Sequence, residues 1–393
     1  MRTAKERQLG RRVLLVVGFL LIAANMRAAL TSVGPLLETI RRDIGLTASE
    51  AGFIGTLPLL TFSAVSPQVP RLARRFGIDL MLWLALVALI AGIVLRSLPV
   101  VGLLWAGTVL LGAAIAVANV LLPSMIKRDF PDHISAVTGV YTAVIGVIAS
   151  TAAGVAVPLA GVLPGGWRAS LGCWAGLALV ALAVWTPQLR RPDRTPEPET
   201  VKPRAPWRSP LAWEVSAFMA LSACGFYTML AWFPSIVVST GAGEEYAGWM
   251  LFVYQIAGVV MSGVVPLVLT RMRDQRPVAT GGALLAMLGY LGLLVAPGLS
   301  LLWATVVGVG AGTLFFLALA FFSLRAADPR SSASLAGMGQ SIGYLFAAVG
   351  PVAIGALHDA TGGWRAPLAV LAGLAAVHTV VGLRAGRDAH VRV

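Results

Sequence analysis

Twelve long apolar segments leave this chain of 393 residues few options other than a helical membrane protein. An α-helix needs about 20 residues to cross a hydrocarbon core of about 30 Å. Backbone polar groups inside lipid must be satisfied within the segment, so apolar runs of this length predict spanning helices. The segments cover residues 12–37, 46–69, 78–97, 99–126, 134–160, 169–187, 211–239, 246–270, 278–297, 299–324, 332–357 and 366–384.

The composition supports this fold class and excludes a soluble globular protein. The chain is 58% hydrophobic and only 12% charged, and its mean hydropathy is +0.83. The first segment is too long for a cleaved signal peptide and contains Arg27, so it predicts an uncleaved first helix. We therefore expect an all-α polytopic membrane protein with twelve transmembrane helices.

The positions of Lys and Arg predict the orientation in the membrane. Most of the 30 basic residues fall in the two tails and in alternate connections, which predicts that both termini lie in the cytoplasm. We expect a multi-pass protein of the plasma (inner) membrane. The basic residues expected on the other side are Arg41, Arg42, Arg96, Arg168 and Arg365. Because the net charge of +13 is dispersed among short loops, it indicates topology and a lipid bilayer rather than a nucleic-acid partner.

The chain also repeats itself. The sequence Gly-Gly-Trp-Arg-Ala at residues 165–169 recurs at residues 362–366, each time just before an apolar segment and at an offset of 197 residues. A duplication of six helices is the layout of transporters built from parallel repeats, with the binding site between the halves. We predict an N-terminal six-helix bundle at residues 1–187, a poorly ordered cytoplasmic linker at 188–210 and a C-terminal bundle at 211–393.

Three motifs carry a resemblance to a known family. They are Asn25-Met-Arg27 followed by Pro35, the fourth-helix segment NVLLPSMIKRDFP at 119–131, and RDQRP at 273–277. They resemble the cyanate and nitroimidazole permease family of the major facilitator superfamily, whose layout matches the whole chain. The resemblance implies a monomeric secondary transporter that works by alternating access. It also implies a cavity lined by helices 1, 4, 7 and 10 and completed by helices 2, 5, 8 and 11.

The connection between the second and third helices departs from the superfamily pattern. That pattern reads Gly-x-x-x-Asp-Arg-x-Gly, whereas residues 70–77 read PRLARRFG, with Arg74 in place of the acid. The resemblance implies gating roles for Arg74, Arg75 and the matching Arg271. The usual charge network of the cytoplasmic gate must therefore be altered here.

Arg27 is the first candidate for binding substrate. An arginine at membrane depth is costly unless it faces protein or water, so its side chain should line a cavity. Small residues occupy the same helical side, namely Ala23, Ala24, Thr31 and Gly34. A guanidinium fork suits a small planar anion, a nitro group or a carboxylate. The alternative is an arginine that bonds neighbouring backbone and only stabilises the bundle.

Seven further residues are candidates for substrate contact: Asn25, Asn119, Tyr141, Tyr227, Trp232, Gln255 and Gln340. Asn25 lies about 200° round the helix from Arg27, so a helix–helix hydrogen bond fits it equally well. Asn119 precedes a proline by one turn and fits a hinge as well as a site. Trp232 fits an interfacial anchor as well as a ring that stacks on a flat ligand.

The acidic residues narrow the substrate class. In the sequence they fall at helix ends, in loops or in tails, so a site with Arg27 should favour an anion or a strongly dipolar solute and repel cations. We predict transport of a small anionic or polar nitrogen compound such as cyanate or 2-nitroimidazole. An exporter of larger amphipathic drugs is the alternative.

His378 is expected to pack against neighbouring side chains inside the protein. The sequence shows no metal-ligand cluster, cofactor motif or catalytic triad, which argues against an enzyme.

Overall fold

The computed structural model describes residues 4–130, 134–190, 207–269, 271–272, 274–326, 329–389 and 391. All the regular structure within these ranges is helical. Twelve candidate membrane spans occur among the described residues, which confirms the predicted all-α fold with twelve transmembrane helices. Residues 191–206 of the predicted linker, like the Arg74 side chain, lie outside what the structure describes.

Fifteen α-helices make up the described chain, and two 3₁₀ turns at Thr186–Arg190 and Pro297–Leu299 join some of them. In chain order the helices are α1 (Ala4–Thr31), α2 (Val33–Ile44), α3 (Ala48–Val65), α4 (Val69–Phe76), α5 (Ile78–Ser97), α6 (Val101–Asp129), α7 (Ile134–Val162), α8 (Trp167–Gly172), α9 (Trp174–Trp185), α10 (Pro210–Val238), α11 (Glu244–Leu269), α12 (Arg276–Val295), α13 (Ser300–Leu324), α14 (Pro329–Thr361) and α15 (Arg365–Ala385).

The first span is longer than predicted and is broken at Ser32. The sequence predicted one helix over residues 12–37, whereas α1 ends at Thr31 and α2 continues to Ile44. Pro35 explains the break, because it has no N–H for the carbonyl of Thr31 and its ring crowds that carbonyl. The break therefore falls about one turn after Arg27.

The described chain packs as two compact units. Unit 1 comprises Met1–Val33 and Thr61–Pro198, and unit 2 comprises Gly34–Leu60 and Glu199–Val393. Each unit has a buried core of its own, which includes Phe19 in unit 1 and Phe233 in unit 2. The break at Ser32 lies next to the point where the chain passes from one unit to the other.

In unit 1 the closest helix packing joins α5 to α6. A Cβ atom added to Gly92 would lie 2.8 Å from the carbonyl oxygen of Gly107, so only glycine allows the two backbones to approach this closely. Near the other end of α5, the Trp185 ring packs against Gly18 of α1. Because Trp185 is the last residue of α9, these contacts join two pairs of helices in unit 1, α5 with α6 and α9 with α1.

In unit 2 the Gly34–Leu60 segment packs on α10 and α14. Thr56 Oγ1 donates a 2.8 Å hydrogen bond to the carbonyl of Ala348 in α14. The Asp359 carboxylate, also in α14, accepts hydrogen bonds from the N–H groups of Ala48 and Ser49 at 3.2 and 2.9 Å. It thereby caps the first turn of α3, where helix N–H groups otherwise lack acceptors.

The two copies of the repeated Gly-Gly-Trp-Arg-Ala sequence share one backbone feature at their first glycine. Gly165 and the matching Gly362 both adopt positive φ, at 109° and 67°. Each copy leads directly into a helix, α8 in unit 1 and α15 in unit 2. Positive φ explains why glycine stands at both positions.

Candidate substrate-binding site

Arg27 lies in α1, one turn before the helix ends. Its side chain is partly buried, whereas its neighbours Ala23, Ala24 and Ala28 are almost completely buried. The Tyr141 phenol of α7 is close enough to experience the charge of the Arg27 guanidinium. Arg27 therefore has a phenol within range of its charge and small buried neighbours on α1, and the residue is not completely buried.

The turn that carries Arg27 is tied to α7 through Thr31. Thr31 Oγ1 lies 3.1 Å from the carbonyl oxygen of Arg27 and 2.9 Å from that of Ala149. Thr31 is buried, so these carbonyls meet little competition from solvent. The hydroxyl thus joins the last turn of α1 to the helix that carries Tyr141.

Asn25 points to a different neighbour. Its Nδ2 atom donates to the carbonyl of Leu21 at 2.8 Å and to that of Leu177, in α9, at 3.3 Å. Both amide hydrogens are therefore directed at backbone acceptors. This is the helix–helix hydrogen bond that the sequence left open beside substrate contact.

Asn119 is exposed on α6, and its backbone carbonyl is the one that Pro123 leaves without a partner N–H. The helix nevertheless continues through Pro123 to Asp129. The side-chain amide is exposed, which fits contact with a solute. The carbonyl without a partner N–H fits a hinge in α6 equally well.

In unit 2 the candidate Tyr227 lies among aromatic rings. The Tyr227 and Tyr344 ring centroids lie 6.5 Å apart in an edge-to-face arrangement, and Phe226 lies 5.3 Å from Tyr227. Gln255 is buried beside Tyr254 in α11. The structure thus brings Tyr227 together with aromatic rings of α10 and α14.

Gln340 lies one turn before Tyr344 on α14 and is partly buried. Residues four apart share a helix face, so Gln340 lies on the side of α14 from which Tyr344 reaches Tyr227. It is therefore placed to add an amide to the aromatic group.

Trp232 is a core residue of unit 2 and not an interfacial anchor. Its side chain is 1% exposed, and its indole Nε1 donates a 2.8 Å hydrogen bond to the carbonyl of Pro351. Its ring also packs against Trp364 at 5.4 Å. An interfacial tryptophan keeps its polar edge at the headgroups, whereas this one satisfies it inside the protein.

The residues predicted to act in gating are exposed where the structure describes them. Arg75 lies over the Phe76 ring, with its Cζ atom 5.2 Å from the ring centroid. Arg271 is exposed next to the end of α11. Gating by these residues stays a prediction.

A buried ion-pair cluster was missed by the sequence reasoning. Arg128 at the end of α6 contacts both carboxylate oxygens of Asp79 at 2.9 and 3.3 Å, and Asp129 Oδ2 at 2.9 Å. Asp79 is the second residue of the predicted segment 78–97 and lies in the first turn of α5, but its burial, at 6% exposed, was not predicted. Burial is possible because the carboxylate has a bidentate partner.

Two sequence signals point to this cluster. Asp79 follows Gly77 by two residues, which predicts a helix start, where an acid is favoured. Arg128 and Asp129 belong to the fourth-helix segment at 119–131. Burial lowers the pKa of Arg128, but the hydrogen bonds and charges of Asp79 and Asp129 outweigh it and raise that pKa above its ordinary value. The guanidinium therefore stays ionised at every physiological pH.

His378 lies in the core of unit 2, in keeping with the expectation that it packs. Its Nε2 atom is 3.3 Å from Ser222 Oγ, and its ring meets Phe218 edge-on at 4.5 Å. In the part of the chain that the structure describes, no group of three or more His, Cys, Asp or Glu side chains is arranged to hold a metal ion.

Comparisons with known proteins agree with this architecture. A family model described as Major Facilitator Superfamily matches residues 13–348. The chain is 40% identical to a 2-nitroimidazole transporter of Escherichia coli (strain K12) over 384 residues, which is 97% of each protein. It is 28% identical to a cyanate transport protein of the same organism over 347 residues, 88% of this chain and 90% of that relative.

A solved structure gives the same fold. The crystal structure of a D-xylose-proton symporter superposes with a TM-score of 0.76 at 15% identity, over 94% of this chain and 96% of that one. At that identity the likeness concerns the fold alone. The family model and the relative that is 40% identical over 97% of the chain also identify the family. The chain therefore belongs to the Major Facilitator Superfamily of membrane transporters and, within it, to the cyanate and 2-nitroimidazole permease family.

Proposed function

We propose that this protein is a secondary active transporter for a small anionic or polar nitrogen-containing solute, such as cyanate or 2-nitroimidazole, held by Arg27. The observation that carries the proposal is an incompletely buried arginine within the first membrane span, with small buried neighbours and with the Tyr141 phenol within range of its charge. The names of the two relatives, a 2-nitroimidazole transporter and a cyanate transport protein, support the solute class.

The chemistry of this pair suits such a solute. A guanidinium offers a planar fork of N–H donors that matches the two oxygens of a nitro or carboxylate group, or the charge of a linear anion. A phenol adds one more donor nearby. Because the effective dielectric inside the bundle is lower than in water, this charge attracts an anion more strongly than an exposed arginine does.

The other candidate residues fall into two groups, those proposed to contact the solute and those proposed to hold helices together. Asn119 in unit 1, and Tyr227, Gln255 and Gln340 in unit 2, are proposed to contact the solute, with Tyr227 offering a ring face to a flat heteroaromatic compound. Asn25 and Trp232 already donate to backbone carbonyls. They are proposed to act through the helices that they join.

The transport cycle is proposed to follow the superfamily. Two six-helix halves, residues 1–187 and 211–393, rock by alternating access, with Arg74, Arg75 and Arg271 at the cytoplasmic gate. Both termini are proposed to lie in the cytoplasm, because basic residues concentrate in the tails and in the connections expected on that side of the plasma membrane. A monomer is proposed from the family resemblance.

The test is binding to the purified protein. Wild type, Arg27→Ala and Arg27→Lys are titrated with 2-nitroimidazole, cyanate and a panel of carboxylates, and Arg384→Ala, an exposed arginine at the end of α15, serves as control. Removing a buried charge-assisted donor should weaken binding about 100-fold. Lysine should restore part of the affinity, and the melting temperature should be preserved.

Two results would contradict the proposal. If wild type binds none of these solutes, the solute class is wrong. If Arg27→Ala binds as tightly as Arg384→Ala, Arg27 is structural. The aromatic group around Tyr227 would then favour the second candidate function, export of larger amphipathic compounds through a broad apolar cavity. Under that alternative, efflux of such compounds should tolerate Arg27→Ala.

A further inference from the structure

A second arginine, Arg96 in the last turn of α5, is buried beside the turn that carries Arg27. Its side chain is 2% exposed, and its Nη1 atom donates a 2.7 Å hydrogen bond to the carbonyl of Ala29. We infer that Arg96 is a positioning residue for transport, which fixes the last turn of α1 so that Arg27 keeps its place beside Tyr141. This inference rests on the proposed role of Arg27.

The acceptor explains why an arginine is needed there. Ala29 lies in the last turn of α1, whose carbonyls run out of helical donors because the helix breaks at Ser32. That end of a helix also carries partial negative charge, which a nearby cation stabilises. Arg96 supplies a donor and a positive charge to the helix end that carries the proposed anchor.

Arg96 is itself held rigidly. A Cβ atom added to Gly107 of α6 would lie 2.5 Å from the backbone nitrogen of Arg96 and 2.8 Å from its Cβ atom. The end of α5 is therefore pressed against the backbone of α6 and has no room to slide. Because the Arg96 side chain extends from this fixed end of α5 to α1, its hydrogen bond holds the turn of Arg27 in a fixed position relative to α5.

The remaining donors of Arg96 show that the Ala29 contact is its main polar interaction. Nε and Nη2 are fully buried and make no hydrogen bond to the described protein atoms. A buried charge with few partners is costly, so we expect an arginine at such a position to have a role that an apolar residue cannot fill. Holding a helix end by its carbonyl is such a task.

The turn is thus held from two sides within unit 1. Arg96 binds Ala29 from α5, and Thr31 binds Ala149 from α7, the helix of Tyr141. Unit 1 ends its first stretch of chain at Val33, directly after this turn. The two hydrogen bonds therefore keep Arg27 with Tyr141 at the point where the chain leaves unit 1.

The experiment compares two buried arginines in the full-length protein. Arg325 is also 2% exposed and also donates to a helix-end carbonyl, that of Ala385 at 2.9 Å, but it belongs to unit 2. Arg96→Met and Arg325→Met are titrated with 2-nitroimidazole and with cyanate well below their melting temperatures. Arg96→Met should weaken binding about tenfold or more, since small displacements of a binding group are costly. Arg325→Met should leave the Kd within about twofold.

Two further variants separate positioning from stability. Arg96→Lys keeps a charge and a donor for Ala29, so it should recover part of the affinity that Arg96→Met loses. Thr31→Val removes the second tie and should weaken binding in the same direction, which keeps the inference testable if Arg96→Met does not fold. In transport assays KM should rise more than the maximal rate falls.

The outcomes are distinguishable from those for Arg27. If Arg27→Ala loses binding while Arg96→Met, or Thr31→Val in its place, binds as wild type does, the positioning role is overturned and the proposed function stands. An equal loss of affinity in Arg96→Met and Arg325→Met would also overturn it, because that loss tracks stability. If Arg27→Ala binds normally, the proposed function fails, and the positioning role fails with it.

Discussion

Each unit buries an arginine beside the first turn of a spanning helix, but the two arginines have different kinds of hydrogen-bond acceptor. Arg128 and Arg325 are related by the repeat offset of 197 residues, and their partners Asp79 and Gln275 by 196. Arg128 makes a bidentate ion pair with Asp79. Arg325 donates to the amide oxygen of Gln275 and to the carbonyl of Ala385.

The pKa values of the two guanidinium groups diverge accordingly. Burial lowers the pKa of Arg325, and the charges of Asp388 and Asp274 offset this only in part. The pKa of Arg128 is raised because its carboxylate partners outweigh burial. The duplicated scaffold therefore accepts either a charged or a neutral acceptor, provided that the buried donors are satisfied.

The largest effect is expected from Asp79→Ala. It removes the main counter-ion of Arg128 and leaves a buried charge poorly compensated, which should cost about 3–5 kcal/mol of unfolding free energy. Thermal melting of the purified protein in detergent would measure it. The control is Glu245→Ala, which removes an exposed carboxylate from the first turn of another helix, α11, and should cost less than about 1 kcal/mol. Equal shifts in the two variants would contradict the comparison.

Replacing each arginine by methionine tests the same contrast from the other side. Arg325→Met leaves neutral acceptors and should cost about 1–3 kcal/mol. Arg128→Met leaves the Asp79 carboxylate buried without its partner, so it should cost about 2 kcal/mol more. The melting temperatures of the two variants, measured side by side, give the difference. A larger loss for Arg325→Met would show that the ion pair is the weaker of the two arrangements.

The smallest effects should come from exchanging the acceptors. Asp79→Asn gives unit 1 the neutral acceptor of unit 2 and should cost about 1–2 kcal/mol, less than Asp79→Ala, because one oxygen still accepts from Arg128. Gln275→Glu gives unit 2 the charged acceptor and should change stability by less than about 1 kcal/mol, because the cost of burying the new carboxylate largely offsets its attraction to Arg325. Denaturant or thermal unfolding of both variants checks the order, and a strongly destabilised Gln275→Glu would contradict it.

Much of the fold could be predicted because its signals are local. Membrane thickness sets the length of each apolar segment, and the recurrence of Gly-Gly-Trp-Arg-Ala marks the duplication. Arg27 was also recognisable as a site candidate, since a charge at membrane depth with small neighbours is a local pattern. Even the break at Ser32 has a local cause in Pro35, although the prediction treated that span as one helix.

The rest of the site could not be predicted because its partners are distant and often have no residue signature. The acceptors of Arg96, Asn25 and Trp232 are backbone carbonyls on other helices. Every residue has a carbonyl, so no pattern in the sequence marks which one a helix crossing brings within reach. The burial of Asp79 was missed for a related reason, because it depends on an arginine 49 residues away along the chain.

By itself, the sequence determined that this protein spans a membrane with twelve helices, carries a duplication and holds an intramembrane arginine. Those properties follow from hydrophobic length and charge, which lipid enforces segment by segment. Only the tertiary structure decided which backbone carbonyls accept from the buried Arg96 and Arg325, and that the Gly34–Leu60 segment packs with the C-terminal helices. These depend on close approach between helices, which is settled by packing over the whole bundle and not by any one segment.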